Sequence, residues 1–130
     1  MDKKTSKKFT STERIRSFRY AIEGLKIAIK EEHNIRIHLV ISLIVIISGF
    51  ILQISNTEWL VICILISLVL SLELINSAIE NLCDHISPEW HIMIKKIKDI
   101  SAAAVLIASF GSVICGLIIF IPKICSLLAN

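Results

Sequence analysis

Apolar residues fall along this chain as one periodic stripe followed by three long runs, and the pattern predicts four helices. Ile15, Phe18, Ile22, Leu25 and Ile29 recur at intervals of three and four residues, which places them on one side of a helix. Arg14, Arg16, Arg19, Glu23, Lys26 and Lys30 fill the other positions. Thr10 and Glu13 have the T-x-x-E spacing of a capping box, so this helix is expected over 12–31. An apolar stripe beneath a basic face suits a helix lying in the headgroup region of a membrane; packing on a soluble partner is the competing reading.

The runs that follow are long enough to cross a bilayer. Leu39 to Thr57 carries no charge, and a first span is expected over about 35–54. At 1.5 Å per residue, such a run covers the roughly 30 Å of hydrocarbon. Ser55-Asn56-Thr57-Glu58 gives a turn and a second capping box, with Trp59 at the interface. Glu73 interrupts the next apolar run. Leu74, Ile75, Ala78, Ile79 and Leu82 keep the helical period, so the second span is expected over about 57–85, with its carboxylates on one side. Ser87 as N-cap and Pro88 at the first helical position predict a third span over about 88–121, uncharged from Ile100 to Ile121. Residues 1–11 read as a basic disordered start and 125–130 as a short tail around a membrane domain of 12–124.

Composition agrees with lipid as the main solvent. Hydrophobic residues are 55% of the 130 and charged residues 19%. This excludes a disordered chain, a disulfide-rich secreted module and an ordinary soluble enzyme. The net charge of +3 says less than its placement. Ten of the 14 basic residues lie between Lys3 and Arg36, three are Lys95, Lys96 and Lys98, and Lys123 stands alone. The positive-inside rule then predicts a multi-pass protein with a cytoplasmic N-terminus and an external C-terminus. Basic residues leading straight into spans point to an anionic membrane surface, not to nucleic acid. No secretory signal pattern is recognised. Cys63, Cys83, Cys115 and Cys125 lack metal-site spacing and are not expected to form a disulfide framework.

The polar residues that break the runs are the candidates for chemistry. Glu73, Asn76, Ser77, Glu80 and Asp84 share one helix face, and ionisable groups at membrane depth mark function by default. His91, Lys95, Lys98, Asp99 and Ala102 form a second polar stripe beside the small residues Ser101 to Ala104, which allow close helix approach. Glu31, Glu32, His33, Asn34, Arg36 and His38 precede the first span and read as a polar hinge between helices. Together these segments bring oxygen ligands of the kind Mg²⁺ uses to one membrane face. There is no phosphate-binding G-x-x-x-x-G-K-[ST] loop. The residues alone leave three classes open: an enzyme at the membrane surface, a small oligomeric transporter or channel using intramembrane carboxylates, and a non-catalytic membrane subunit.

Glu73-Leu74-Ile75-Asn76-Ser77-Ala78-Ile79-Glu80-Asn81, followed by Asp84, resembles the signature of the prokaryotic diacylglycerol kinase family. Lys98-Asp99-Ile100-Ser101-Ala102-Ala103-Ala104-Val105-Leu106 resembles its second motif, and Ser17-Phe18-Arg19-Tyr20-Ala21 with Glu23-Gly24-Leu25 its surface helix. Glu31 to His38 and Thr57-Glu58-Trp59-Leu60 look most like the undecaprenol kinase branch. The resemblance covers about Ile15 to Lys123. It implies an all-α homotrimer of the bacterial cytoplasmic membrane, with a surface helix and three spans per chain. It also implies transfer of the γ-phosphoryl of MgATP to the hydroxyl of diacylglycerol or undecaprenol, in phospholipid metabolism or lipid-carrier recycling. Carried over by motif position, Glu73 is the general base and Asn76 its support. Glu32 and Glu80 hold Mg²⁺, and Tyr20, Glu89, Trp90, His91, Lys98 and Asp99 join them around ATP. Trp59 and Ala102 lie with Glu73 toward the lipid. Trp90 stands where the family often has Tyr, and Cys83 where an aliphatic residue is usual.

Overall fold

The computed structural model describes residues 11–129, which form four helices: α1 (Ser11–Glu31), α2 (His33–Ile51), α3 (Asn56–Ile86) and α4 (Ile92–Leu128). Thr10 of the first expected capping box and the Lys-rich start lie outside the described residues. The chain divides after Glu32 into two units, α1 in the first and α2 to α4 in the second.

In the first unit the expected amphipathic helix forms, and Ile15, Phe18, Ile22, Leu25 and Ile29 are all exposed along it. Arg19 Nε and Glu23 Oε1 pair at 3.0 Å across one turn of the polar side. The Arg16 guanidinium lies 5.9 Å from the centre of the Tyr20 ring.

The second unit is three long apolar helices. Their 19, 31 and 37 residues correspond to about 28, 46 and 55 Å, so α3 and α4 outrun a bilayer's hydrocarbon and must emerge from it. All three are long and apolar enough to cross a membrane. α3 packs mostly on α4 and less on α2. Most large apolar side chains of the spans remain exposed, as expected where lipid replaces water.

One end of this unit is held by apolar packing. Ile54, Ile62 and Ile119 form a small buried cluster, with Val45, Trp59 and Phe120 against it. The Trp59 and Phe50 rings meet with centroids 4.8 Å apart. Gly49 makes room for that ring: a Cβ there would stand 2.8 Å from Trp59 Cη2. α2 ends in a Schellman arrangement, in which Ile54 N–H donates to Gly49 O at 3.1 Å and Gln53 N–H to Phe50 O at 3.3 Å. Gln53 takes the left-handed backbone this requires, with φ 49°. The Ser55–Glu58 capping box then forms as the spacing predicts, Ser55 N–H donating to Glu58 Oε2 at 2.6 Å and Glu58 N–H to Ser55 Oγ at 3.3 Å. Lys123 closes this end from α4, its Nζ 3.2 Å from Glu58 Oε2.

Two boundaries differ from expectation. The third span does not begin at Ser87–Pro88. Ser87 instead caps the end of α3, its N–H donating to Cys83 O at 3.0 Å, and α4 begins only at Ile92. The reason is His91, whose Nδ1 accepts from Met93 N–H at 3.2 Å and so provides the cap itself. At the other end α4 runs through Pro122 to Leu128, where a tail was expected. Pro122 removes one backbone donor but lies close to the helix end, and Ala129 N–H still closes the last turn on Cys125 O at 3.1 Å.

Candidate active site

The acidic face of α3 is turned into the bundle, not toward lipid. Glu73 is 2% exposed and Asn76 4%, with Ser77 also buried, while Ile75 and Leu82 on other faces are exposed. Depth follows from the helix rise. Counting from Glu58 at the α3 start, Glu73 lies about 22 Å along the axis and Glu80 about 33 Å. Glu73 therefore belongs inside the hydrocarbon and Glu80 at its boundary.

Side chains from α4 organise this face. Ser101 Oγ donates to Asn76 Oδ1 at 2.6 Å, and Asn76 Nδ2 donates to Glu80 Oε1 at 3.2 Å. The amide is thus fixed at both ends, and it orients the Glu80 carboxylate. Asn76 was expected to support Glu73; its Nδ2 bonds Glu80, one turn further along, instead. Glu73 Oε1 is buried and has no hydrogen-bond partner among the described residues. Glu73, Asn76 and Glu80 face a cleft of about 340 Å³ completed by Asn34 and His38 of α2 and Ala102 of α4.

A second cleft, of about 470 Å³, lies where α3 ends and α4 begins. Asp84 forms its α3 wall, and Glu89, Trp90, His91, Lys98 and Asp99 its other side. Lys98 Nζ reaches both Asp84 carboxylate oxygens, at 2.8 and 3.1 Å. Lys95 pairs with Asp99 one turn away. Trp90 is 77% exposed and offers an open aromatic face. Both lysines of this cleft are thus paired with carboxylates and Glu89 adds a third, so a polyanion could enter only by displacing those carboxylates or with a cation, while Trp90 offers a face for a flat group.

The structure therefore gathers Glu73, Asn76, Glu80 and Ala102 around one cleft, and Glu89, Trp90, His91, Lys98 and Asp99 around another. Asp84, four residues beyond Glu80, leads from the first to the second. Tyr20 and Glu32 belong to the first unit. Trp59 is not brought to either cleft: it sits fourteen residues before Glu73, about 21 Å along α3, in the apolar cluster at the far end. Asn34, Lys95 and four others that the sequence did not assign to the site belong to its walls or supports. Asp84 was marked only by its position on the Glu73 face. Ser101 was noted only for its size, His38 as part of a hinge, and Ser109 carried no signal among apolar neighbours.

The profile of the family described as prokaryotic diacylglycerol kinase matches residues 19–120. The chain is similar to the undecaprenol kinase of Bacillus subtilis strain 168, with 38% identity over 109 residues, 84% of this chain and 89% of that protein. It is 36% identical over 97 residues to the diacylglycerol kinase of Haemophilus influenzae Rd, covering 75% and 82% of the two chains. It is also 34% identical over 113 residues to the diacylglycerol kinase of Synechocystis strain PCC 6803, covering 86% of this chain and 65% of that one.

Proposed function

The chain belongs to the prokaryotic diacylglycerol kinase family and is a lipid kinase; from that premise we propose that it transfers the γ-phosphoryl of MgATP to the hydroxyl of a membrane lipid alcohol, undecaprenol or diacylglycerol. The observation that carries this reading is the buried Glu73 carboxylate, with Oε1 unpartnered, facing the same cleft as Glu80. A carboxylate at that depth can meet a hydroxyl that stays anchored in the bilayer, and it can take the hydroxyl's proton as the phosphorus is attacked.

The remaining residues supply alignment and charge neutralisation, which are most of what phosphoryl transfer needs. The fit to Mg²⁺ rests on hard carboxylate oxygens: Glu80, oriented by Asn76, is one ligand, and the family resemblance assigns Glu32 as the other. Bound there, Mg²⁺ would neutralise charge on the phosphates. Lys98 exchanges Asp84 for phosphate oxygens, Trp90 stacks on the base, and Glu89, His91, Asp99 and Tyr20 complete the nucleotide site. The assembly is a homotrimer in the bacterial cytoplasmic membrane with its N-terminus in the cytoplasm, in keeping with the basic residues before α2 and around the α3–α4 connection.

The test is purified protein in micelles with MgATP, offered undecaprenol and diacylglycerol separately. The expected result is one phosphorylated lipid per ADP released. ADP release without phosphorylated lipid from either substrate would overturn the reading.

A further inference from the structure

Ser109 on α4 differs from three other serines of the spans. Ser42, Ser48 and Ser112 return their hydroxyls to the carbonyl four residues earlier, at 2.7, 2.8 and 2.8 Å. Ser109 Oγ is buried from solvent, yet it makes no hydrogen bond among the described residues. It shares that condition with Glu73 Oε1, and both residues face the 340 Å³ cleft. A bare hydroxyl in a low-dielectric interior is costly, and a helical serine ordinarily removes the cost by bonding to its own backbone.

A second cavity, of about 230 Å³, adjoins this place between α2, α3 and α4. Ser109 and His38 line both cavities. The second one is otherwise mostly apolar, with Ile41, Ile62, Val69 and Phe120 among its walls. Ser112 also lines it, but its hydroxyl is already held by Ala108 O. Ser109 therefore stands where a polar cleft gives way to an apolar groove, and its unengaged hydroxyl marks the boundary.

Resting on the lipid-kinase reading above, we infer that Ser109 is a substrate-positioning residue: its hydroxyl donates to the oxygen of the lipid alcohol, while the first carbons of the lipid chain occupy the apolar groove. An alcohol oxygen has two lone pairs and one proton. With one lone pair accepting from Ser109, the proton turns to Glu73 Oε1 and the second lone pair faces the γ-phosphorus. On transfer the new O–P bond forms, the bond from phosphorus to the ADP oxygen breaks, and the alcohol proton passes to Glu73. Ser109 keeps its own proton throughout.

The experiment compares Ser109→Ala and Ser109→Cys with wild type in micelles, measuring lipid and ATP kinetics and thermal unfolding without lipid. Loss of one hydrogen bond to substrate lowers kcat/KM for the lipid about three- to tenfold in Ser109→Ala. The KM for ATP is unchanged, and Ser109→Cys, a weaker donor of similar size, falls between. The lipid-free melting midpoint of Ser109→Ala is equal to or above wild type, because a buried hydroxyl without a partner has been removed. Unchanged lipid kinetics would overturn the inference. So would a lowered melting midpoint, which would show that the hydroxyl holds the fold or a neighbouring copy. Wild-type protein that phosphorylates no lipid would remove the lipid-kinase reading itself, and the inference with it.

Discussion

Ser101 on α4 and Asn76 on α3 are joined by a 2.6 Å hydrogen bond that anchors the amide facing Glu80. The Glu80 carboxylate only accepts, so Nδ2 turns to it, at 3.2 Å, and Oδ1 is left to accept from Ser101. The helix contact and the orientation of a proposed metal ligand are thereby the same interaction.

Ser101→Ala leaves Asn76 Oδ1 without its α4 partner and lets the amide swing out of line with Glu80, loosening the carboxylate. The expected result is a raised Mg²⁺ requirement and roughly a tenfold loss of turnover, about the worth of one hydrogen bond to a charged group. Asn76→Ala should produce a similar loss, and the double variant should lose little more, since both act through Glu80. Additive losses in steady-state kinetics at several Mg²⁺ concentrations would separate the two residues.

Glu73→Gln keeps size and hydrogen-bonding capacity but cannot accept the substrate proton. General-base assistance is commonly worth about 10²–10⁴-fold, so turnover should fall within that range. ATP affinity should stay near wild type, because Glu73 lies in the deeper cleft and not with Lys98 and Trp90. Turnover lost only together with ATP affinity would place the residue on the nucleotide side.

Lys98→Met removes the cation that bridges from α4 to both oxygens of Asp84. A charge-assisted contact to phosphate is worth about 1.5–3 kcal/mol, so nucleotide affinity should drop about 10- to 100-fold with little change in the KM for lipid. Equilibrium nucleotide binding reads this directly. Affinity within twofold of wild type would take Lys98 out of the phosphate site.

Gly49→Val places new atoms against the Trp59 ring, where a Cβ alone would already approach to 2.8 Å. Overpacking of this kind costs about 1–3 kcal/mol. The melting midpoint in micelles should fall, and adding Trp59→Leu should recover part of the loss. An unchanged midpoint would mean that the α2–α3 contact is looser than the Gly49–Trp59 approach implies.

The spans were legible because a bilayer imposes a simple rule of length and charge on the chain, and Leu39 to Thr57 and Ile100 to Ile121 obey it without interruption. The S-x-x-E at Ser55 was legible for a similar reason: both bonds of the box are made within four residues. Pro88 misled because it can start a helix but does not compel one, and the cap fell to His91. Helix spacing put Glu73, Asn76 and Glu80 on one face. It could not say whether Asn76 turned toward the residue three before it or the one four after. Nor could it show that the amide oxygen is held by Ser101, twenty-five residues away in sequence. Ser109 was invisible for the same reason: what singles it out is a bond it does not make.

The link from α2 to α3 carries its own stop and its own start within Leu52 to Ser55. Gln53 ends one helix, Ser55 begins the next, and Gly49 approaches Trp59, all close in sequence, while Ile119, Phe120 and Lys123 of α4 complete the corner. The turn between the first two spans needs nothing from α4 for its caps, whereas the packing of both spans does. The α4 residues that cover the Glu73 face come last in the chain, so the cover of its costliest carboxylate depends on the final helix.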